Sequence, residues 1–349
     1  MSNSPTPIAN LGEFQLIKHL TNRFPLRHAA SIKGIGDDAA VIKSQPLLTL
    51  VSTDLLVEGI HFDLMYSPLK HLGYKAVAVN VSDICAMNGT ARQITVSLAV
   101  SSRFTVEALE ELYAGIEAAC RDYELDLIGG DTSSTLRGMV ISITVLGEVD
   151  ASDVCYRNTA QVGDLICVSG DLGAAYLGLQ LLEREKRIFL EHPNIQPDLQ
   201  NQAYCVGRQL RPDARIDVVR ELGRHGVRPT AMIDISDGLS SDLLHICRSS
   251  GVGCVVFEEN VPVHPEAMLL AEQFHLPIIT AFLNGGEDYE LLFTLNPKDM
   301  PTIENDLGHL ISVIGRVTET SKGCKVVSRG GNTHDLVAQG WKHFQEPQQ

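Results

Sequence analysis

Two carboxylates and a hydroxyl lie close together in the sequence, where a predicted strand ends and a predicted helix begins. Asp234, Ser236 and Asp237 follow a short apolar stretch, and apolar residues then recur at helical spacing. Neighbouring carboxylates repel each other unless a cation lies between them, and Mg²⁺ prefers oxygen ligands and bridges phosphates. Backbone N–H groups at a helix start also favour anions. An acidic helix cap explains the same residues equally well, so this stretch alone leaves a metal site and a structural cap open.

Acidic residues recur at predicted strand ends and glycine turns along the chain. They are Asp38, Asp54, Asp131, Asp234 and Asp288. Ser52 and Thr53 directly precede Asp54, and Gly129 and Gly130 precede Asp131, where the backbone can approach a ligand closely. Each could be a plain acidic turn. Because α/β proteins place ligands in crevices at strand ends, we expect several of them to meet.

A long predicted helix carries one further acidic residue, Asp83. The helical pattern begins near Pro68 and ends before Asn88-Gly89, and residues 76–86 are apolar nearly all round. Asn80 and Asp83 share one face of this helix. A buried unpaired carboxylate is strongly destabilising, so Asp83 requires a cation or hydrogen-bond donors. It is therefore a better ligand candidate than a surface aspartate.

The elements that must position these residues alternate between strands and helices, which predicts an α/β (α+β) fold. A chain of 349 residues is long for one core and suggests two domains. The composition turns polar near residues 150–153, so we expect an N-terminal domain over 1–150 and a C-terminal α/β domain over 151–349. We also expect a short amphipathic helix at 11–22, and the charged segment 187–202 to be the least ordered.

Composition and charge exclude several classes of partner. The formal net charge of −15 argues against nucleic acid held on a basic surface. The first residues lack the apolar region of a signal peptide, and no apolar run has membrane-spanning length. The eight cysteines form no Cys-x-x-Cys pair. We interpret them as small core residues of a cytoplasmic protein that does not contact a membrane.

The nucleotide-binding motifs that rely on glycine loops or a lysine are absent. Residues 34–39 imitate the Gly-x-Gly-x-x-Ala dinucleotide fingerprint. The pattern predicts no strand before them, however, and the stretch that follows resembles a strand rather than a helix. The chain also lacks a Walker-type Gly-x-x-x-x-Gly-Lys-[Ser/Thr] motif and a kinase Asp-Phe-Gly motif. A bound nucleotide would therefore be held through metal ions on carboxylates.

A series of motifs gives the chain a specific resemblance over nearly its whole length. In order they are GIGDDAAV, STDLLVEGIHF, YKAVAVNVSDICAM, LIGGDTSS, DISDGLSSDL, GGEDYELLFT and GWKHF. Together they resemble the thiamine-monophosphate kinase family of the aminoimidazole-ribonucleotide-synthetase-like superfamily. The resemblance implies ATP-dependent phosphorylation of thiamine monophosphate by direct in-line transfer, assisted by several Mg²⁺ ions. It also implies a homodimer in which the N-terminal sheets join into a barrel.

The resemblance also implies roles for individual residues. The implied Mg²⁺ ligands are Asp38, Ser52, Thr53, Asp54, Asp83, Asp131, Asp234 and Asp237. The implied ATP contacts are Tyr113, Gly130, Arg157 and Ser236, and the implied thiamine phosphate contacts are His61, Glu287 and Trp341. Asp83, Asp131, Asp234 and Arg157 would be catalytic. A phosphate monoester has its second pKa near about 6 and is largely dianionic at neutral pH, so this acceptor needs no general base.

One residue and one segment depart from the family pattern, and three other functions remain open. Glu58 stands where the family often has a small residue, and residues 187–202 match no known motif. One alternative is another ATP-using enzyme of the superfamily, although a selenide enzyme would carry a cysteine in its N-terminal loop, and residues 1–38 contain none. The others are a non-catalytic metal- or nucleotide-binding scaffold and a carboxylate-metal phosphatase.

Overall fold

A computed structural model describes residues 29, 31–33, 36–44, 46–199 and 202–339. The first sheet of this part of the chain comprises β1 Ser31–Lys33, β2 Ala40–Lys43, β3 Leu48–Val57, β4 Thr90–Val100, β5 Asp126–Ser134 and β6 Met139–Val149. Its strand order is β1-β2-β3-β6-β4-β5. All neighbouring strands are antiparallel except β4 and β5, which run parallel.

Helices α1 (Leu69–Ala86) and α2 (Val106–Asp122) accompany this sheet. Along β6, buried residues alternate with partly exposed ones, as expected for a strand with one face against a core. The two helices approach each other very closely, because a Cβ atom on Gly73 would lie 2.0 Å from the Leu112 carbonyl oxygen and one on Gly115 would lie 1.9 Å from that of Lys70. Glycine at both positions therefore permits this helix pair.

The second sheet comprises β7 Leu165–Ser169, β8 Ala231–Asp234, β9 Gly253–Phe257, β10 Leu291–Leu295, β11 Ile311–Thr318, β12 Cys324–Val327 and β13 Thr333–Asp335. Its order is β13-β12-β9-β11-β7-β10-β8, and β9 and β12 form a parallel pair. The helices of this half are α3 Ala174–Glu191, α4 Ala203–Leu210, α5 Ile216–Arg224, α6 Leu239–Ser250, α7 Pro265–Gln273 and α8 Ile278–Asn284. Residues 297–307 form a short irregular helical segment.

One hydrophobic core extends from the first sheet through α1 into the second sheet. The same cluster of buried side chains contains Leu50 of β3, Val77 of α1 and Phe293 of β10. Helix α1 is buried over most of its length, and Asn88 ends it in a left-handed conformation with φ 58°. The predicted buried helix is therefore confirmed, and α1 lies between the two sheets where it can carry polar side chains to both.

Some details differ from the sequence-based expectations. The strand expected at residues 125–128 does not end at the glycine pair. Strand β5 continues to Ser134 and stays paired with β4, with a register shift at Ile128. Helix α3 continues to Glu191, six residues beyond the Glu185 end that the pattern predicts. The helix predicted at 11–22 lies outside the described residues, and the division at residues 150–151 stays a prediction. Among the described residues, no helix combines the length and apolar character needed to cross a membrane.

Candidate active site

Three carboxylates from distant parts of the sequence converge between the two sheets. Oxygen atoms of Asp38, Asp83 and Asp234 all lie within 4.8 Å of one another. Asp38 comes from the turn before β2, Asp83 from the last turns of α1, and Asp234 from the end of β8. The predicted meeting of acidic strand-end residues with the carboxylate of the buried helix is thus present in the fold.

Neighbouring hydroxyl and guanidinium groups hold these carboxylates in place. The Ser52 hydroxyl donates to Asp83 Oδ2, and the Ser82 hydroxyl donates to Asp234 Oδ2 over 2.6 Å. Arg157 Nη2 lies 2.8 Å from Asp38 Oδ1, with both side chains largely buried. Ser82 was not among the predicted residues, although it directly precedes Asp83 and its hydroxyl anchors the carboxylate from the other half of the chain.

Burial and mutual repulsion raise the pKa of all three acids. Burial, together with Asp234 and Asp37, raises the pKa of Asp38 to about 7 against the opposing effect of Arg157. Burial and the charges of Asp54 and Asp237 raise the pKa of Asp234 to about 6. Burial, followed by the charges of Asp54, Asp234 and Asp38, raises the pKa of Asp83 well above its ordinary value. A cation among these groups would relieve both effects.

The donor set fits a hard divalent cation. Asp38 Oδ2 is buried and has no hydrogen-bond partner among the described residues. An orphaned buried carboxylate oxygen is destabilising unless a cation or donor satisfies it. Three carboxylates with hydroxyl groups beside them are the oxygen ligands that Mg²⁺ prefers. Asp38, Asp83 and Asp234 could therefore hold Mg²⁺. Asp54 is not part of this close group but lines the adjoining pocket.

The other predicted metal ligands occupy varied positions around this cluster. The backbone N–H of Asp54 donates to Asn80 Oδ1 over 3.0 Å, so Asn80 holds the β3 backbone at Asp54 against α1. The Thr53 hydroxyl donates to the Ile143 carbonyl oxygen and accepts from the Thr144 hydroxyl, each over 3.0 Å. The Thr53 side chain is therefore engaged with β6 rather than with Asp83.

The loop before α6 and the first turn of that helix contribute further acidic residues from the second half of the chain. The backbone N–H groups of Asp237 and Gly238 both donate to Asp242 Oδ2 over 3.2 Å. Neither Asp234 nor Asp237 caps α6, which begins after Gly238 without a side-chain cap hydrogen bond. Asp242, a first-turn residue that the sequence interpretation did not single out, instead holds the backbone of the preceding loop. Ser236 pairs through its carbonyl oxygen with the backbone N–H of Glu287 over 2.8 Å, which joins the two predicted substrate loops.

A cavity of about 980 Å³ opens beside the carboxylates. This volume lies near the upper end of the range for small-molecule sites, roughly 300–1,000 Å³. The side chains that face it include both metal and substrate candidates. The predicted residues among them are Thr53, Asp54, His61, Asp83, Asp234, Ser236, Asp237 and Glu287, and Lys75 lines the cavity as well. The structure therefore brings His61 and Glu287 into one pocket with the carboxylate cluster.

Buried polar contacts fix Glu287 and His61 within this pocket. The Glu287 carboxylate lies 3.0 Å from Lys75 Nζ and accepts a hydrogen bond from Gln209 Nε2 over 2.5 Å. Its backbone is left-handed, with φ 64°. His61 Nδ1 accepts from the Val57 backbone N–H over 3.0 Å, so the neutral ring carries its proton on Nε2. Lys75 and Gln209 are site residues that the sequence interpretation missed.

Three predicted residues lie away from this cluster, and one lies outside the described residues. Tyr113 packs against the core of the first sheet and does not line the pocket. Gly130 shares a cross-strand row with Asp54, but β6 and β4 stand between them. Three inter-strand spacings amount to about 14 Å, so Gly130 and the adjacent Asp131 do not join the carboxylates of the same chain. Trp341 lies outside the described residues.

A two-sheet fold with an acidic cluster between the sheets defines the class of protein. Residues 36–149 match the family model of the AIR synthase related protein, N-terminal domain, and residues 161–327 match that of the C-terminal domain. Hydrogenase maturation proteins HypE share this fold at 16–21% identity, with TM-scores between 0.66 and 0.70. The chain is therefore an AIR synthase related protein.

Closer relatives identify the family within this class. The chain is 34% identical to thiamine-monophosphate kinase of Bacillus subtilis, with 96% of this chain and 100% of the relative covered. It is 33% identical to that of Escherichia coli, covering 96% and 99%. The solved structure of AaThiL complexed with AMPPCP and TMP has a TM-score of 0.81 at 33% identity and covers 98% of this chain and 100% of that one. The chain belongs to the thiamine-monophosphate kinase family.

Proposed function

We propose that the chain transfers the γ-phosphoryl group of ATP to thiamine monophosphate, which yields thiamine diphosphate and ADP. The observation that carries this proposal is the convergence of Asp38, Asp83 and Asp234 beside the pocket that contains His61 and Glu287. Relatives named thiamine-monophosphate kinase support it, as does a family structure that contains TMP and AMPPCP, an analogue of ATP.

The carboxylate cluster would hold several Mg²⁺ ions through Asp38, Asp54, Asp83 and Asp234. When bound, these ions would neutralise the phosphate oxygens and keep the donor and acceptor phosphates from repelling each other. The protein fixes the positions of the carboxylates. Ser52 and Ser82 orient two of the carboxylates, and α1 holds Asp83 in a fixed relation to both sheets. Positioning and charge stabilisation are the main requirements of phosphoryl transfer.

Arg157 would bind the phosphates of ATP. Its guanidinium is largely buried beside Asp38 and Asp37, so the side chain is already oriented before a ligand arrives. A fixed guanidinium matches phosphate oxygens in a planar fork. Ser236 would contact ATP from the loop at the end of β8. The acceptor phosphate is its own nucleophile, so the protein would not need to remove a proton.

Glu287 and His61 would bind the thiamine phosphate. Thiamine carries a permanently cationic thiazolium ring, and Glu287 places a carboxylate in the same pocket as the acidic cluster. Lys75 and Gln209 hold that carboxylate in one orientation. His61 would offer its Nε2–H as a donor, since its Nδ1 is occupied by the Val57 backbone. Trp341 would complete this end of the site.

A second copy of the chain would complete the ATP site. All nine residues of the edge strand β5 are exposed, including the apolar Leu127 and Ile128. Long exposed edge strands with apolar side chains favour pairing with another chain. We expect a homodimer whose N-terminal sheets join along β5, and we expect Gly130, Asp131 and Tyr113 to act at that interface. Light scattering should report twice the chain mass, and Ile128→Lys should lower it while preserving the fold.

Product analysis tests the proposed reaction. With ATP, Mg²⁺ and thiamine monophosphate, ADP and thiamine diphosphate should appear in equal amounts, and neither should form when one substrate is omitted. Release of free phosphate without thiamine diphosphate would indicate the phosphatase alternative. Binding of both ligands without any turnover would indicate a non-catalytic scaffold.

A further inference from the structure

Three thiols meet in the second sheet, away from the candidate active site. The Sγ atoms of Cys247, Cys254 and Cys324 all lie within 4.8 Å of one another. Cys254 in β9 and Cys324 in β12 are direct partners across a parallel strand pair, and Cys247 reaches them from α6. None of the three lines the pocket beside the carboxylates.

Two of the three thiols are buried, and the third is accessible from the surface. Cys247 and Cys254 are only 3% and 1% exposed, whereas Cys324 is partly exposed at the start of β12. All eight cysteines are free thiols, and the other five do not join a comparable group among the described residues. An ion could therefore reach the three sulfurs past Cys324 while the remaining two ligands stay shielded from water.

The three thiols differ in how readily they lose a proton. Hydrogen bonds from the Cys247 and Cys254 thiols lower the pKa of Cys324 to about 3, and the nearby Arg248 guanidinium acts in the same direction. The same contacts leave Cys254 with a raised pKa, and Cys247 has a pKa of about 12. A cation would have to displace the protons of these two thiols, which is the usual consequence of metal binding by cysteine.

We propose that Cys247, Cys254 and Cys324 bind one thiophilic d10 metal ion, either Cu⁺ or Zn²⁺, through three sulfur ligands. Sulfur-only ligand sets select soft ions over Mg²⁺ and Ca²⁺. Among the described histidine, cysteine, aspartate and glutamate residues, no fourth ligand joins the group. Cu⁺ would bind as a three-coordinate ion, whereas Zn²⁺ would take a water as its fourth ligand.

A bound ion would also fasten the last strands to the domain. It would tie β12 to β9 and to α6. From β12 the chain continues through β13 to Gln339, whose backbone N–H donates to Asn284 Oδ1 over 3.1 Å. Gln339 and Asn284 both line the active-site pocket. The ion would thus stabilise the segment that leads to the rim of the pocket, without any contact with the reacting phosphates.

Metal titration of the full-length, reduced, metal-free protein tests the site. Zn²⁺ and Cu⁺ would be added separately in competition with a chromogenic chelator, and native mass spectrometry would count bound ions. We expect one tight equivalent in the wild type and in the control Cys120→Ser, whose thiol lies on α2. Cys324→Ser should weaken binding by about tenfold or more, since loss of a direct ligand should cost at least as much as loss of a group that only orients a ligand. Equal affinity in Cys324→Ser and the wild type would overturn the proposal.

A second measurement works on the unmodified protein and separates metal binding from oxidation. Alkylation followed by peptide mapping should show that the metal slows modification of Cys324 and leaves that of Cys120 unchanged. Unchanged reactivity of Cys324 at saturating metal would contradict the site. A Cys254–Cys324 disulfide in protein purified without reductant, combined with no metal uptake after reduction, would assign the cluster to thiol redox chemistry and would also overturn the proposal.

Discussion

The ammonium group of Lys75 lies 3.0 Å from the carboxylate of Glu287, and this ion pair joins the two halves of the chain inside the pocket. Lys75 belongs to α1, and Glu287 belongs to the loop that precedes β10. The Lys75 side chain is 6% exposed and that of Glu287 is 27% exposed. The lysine is therefore the more buried partner, and it orients the carboxylate that we assign to the thiamine end of the site.

Removal of the Lys75 charge should affect thiamine monophosphate binding more than ATP binding. Lys75→Met keeps the length of the side chain but leaves Glu287 with Gln209 alone, so the carboxylate loses its fixed orientation. We expect the KM for thiamine monophosphate to rise by about tenfold, which corresponds to about 1.4 kcal/mol, while the KM for ATP changes little. Steady-state kinetics provides the measurement. Lys70→Met, an exposed substitution on the same helix, is the matched control, and equal effects of the two substitutions would contradict the assignment.

The shared face of α1 explains how much of this site the sequence can predict. Periodicity locates the buried helix, and the cost of burying a carboxylate identifies Asp83 as a ligand candidate. Lys75 directly precedes the apolar stretch 76–86, so the pattern does not show that it is buried, although the structure leaves it only 5% exposed. The sequence pattern does not indicate Gln209 as a site residue. Its contact with Glu287 depends on how α4 packs against the loop that precedes β10.

The glycine pair before Asp131 marks a second limit of prediction from sequence. Two glycines suggest that a strand ends, yet β5 continues through them because backbone pairing with β4 stabilises the extended chain. Whether Asp131 belongs to the site cannot be deduced from local pattern, since strand order places β6 and β4 between β5 and Asp54. The carboxylates that do meet lie at strand ends, or on a helix, next to the gap between the sheets.

The effect of Mg²⁺ on stability should grow as the pH rises. Asp38 and Asp234 have an ordinary pKa of 3.8 that the fold raises to about 7 and about 6. The folded, metal-free protein therefore holds protons that the unfolded chain releases, and their stabilising effect is lost as the pH rises from about 4 to about 7. Mg²⁺ replaces these protons, so its shift in Tm should be larger at pH 8 than at pH 5.5.

Thermal unfolding with and without Mg²⁺ at the two pH values measures this linkage. Asp38→Asn removes one of the titrating groups and should reduce the pH dependence of the Mg²⁺-induced shift. KCl at matched ionic strength controls for effects of ionic strength that do not depend on specific Mg²⁺ binding. A Mg²⁺-induced shift in Tm that is the same at both pH values would contradict the assignment of these carboxylates to the cation site.

Trp341 is the one tryptophan of the chain, and we predict that its indole covers the thiazolium ring. An indole face attracts a cation by roughly 0.5–2 kcal/mol, which alters affinity without abolishing chemistry. Trp341→Ala should raise the KM for thiamine monophosphate and leave the KM for ATP nearly unchanged, and Trp341→Phe should fall between. Tryptophan fluorescence should respond to thiamine monophosphate added without ATP. A flat titration together with an unaltered KM in Trp341→Ala would refute the contact.

Transfer should be direct, because the dianionic acceptor phosphate can attack without a protein nucleophile. Incubation with γ-labelled ATP and Mg²⁺ in the absence of thiamine monophosphate should leave no covalent label on the protein. Rapid quench followed by denaturing gel analysis provides the measurement. A covalently labelled residue that passes its label to thiamine monophosphate when that acceptor is added would contradict direct transfer.

Turnover of the Asp83→Asn and Asp234→Asn variants tests the central claim most directly, namely that carboxylates from both halves of the chain form the Mg²⁺ site for phosphoryl transfer. Asparagine keeps the size of each side chain and removes its charge. At saturating Mg²⁺ we expect kcat to fall by about two orders of magnitude or more in each variant, in line with the loss of a charge-stabilising group in other active sites. The fold should persist, and Asp306→Asn, an exposed substitution in the segment 297–307, should behave as the wild type. Near-normal kcat in either Asp83→Asn or Asp234→Asn would contradict the account.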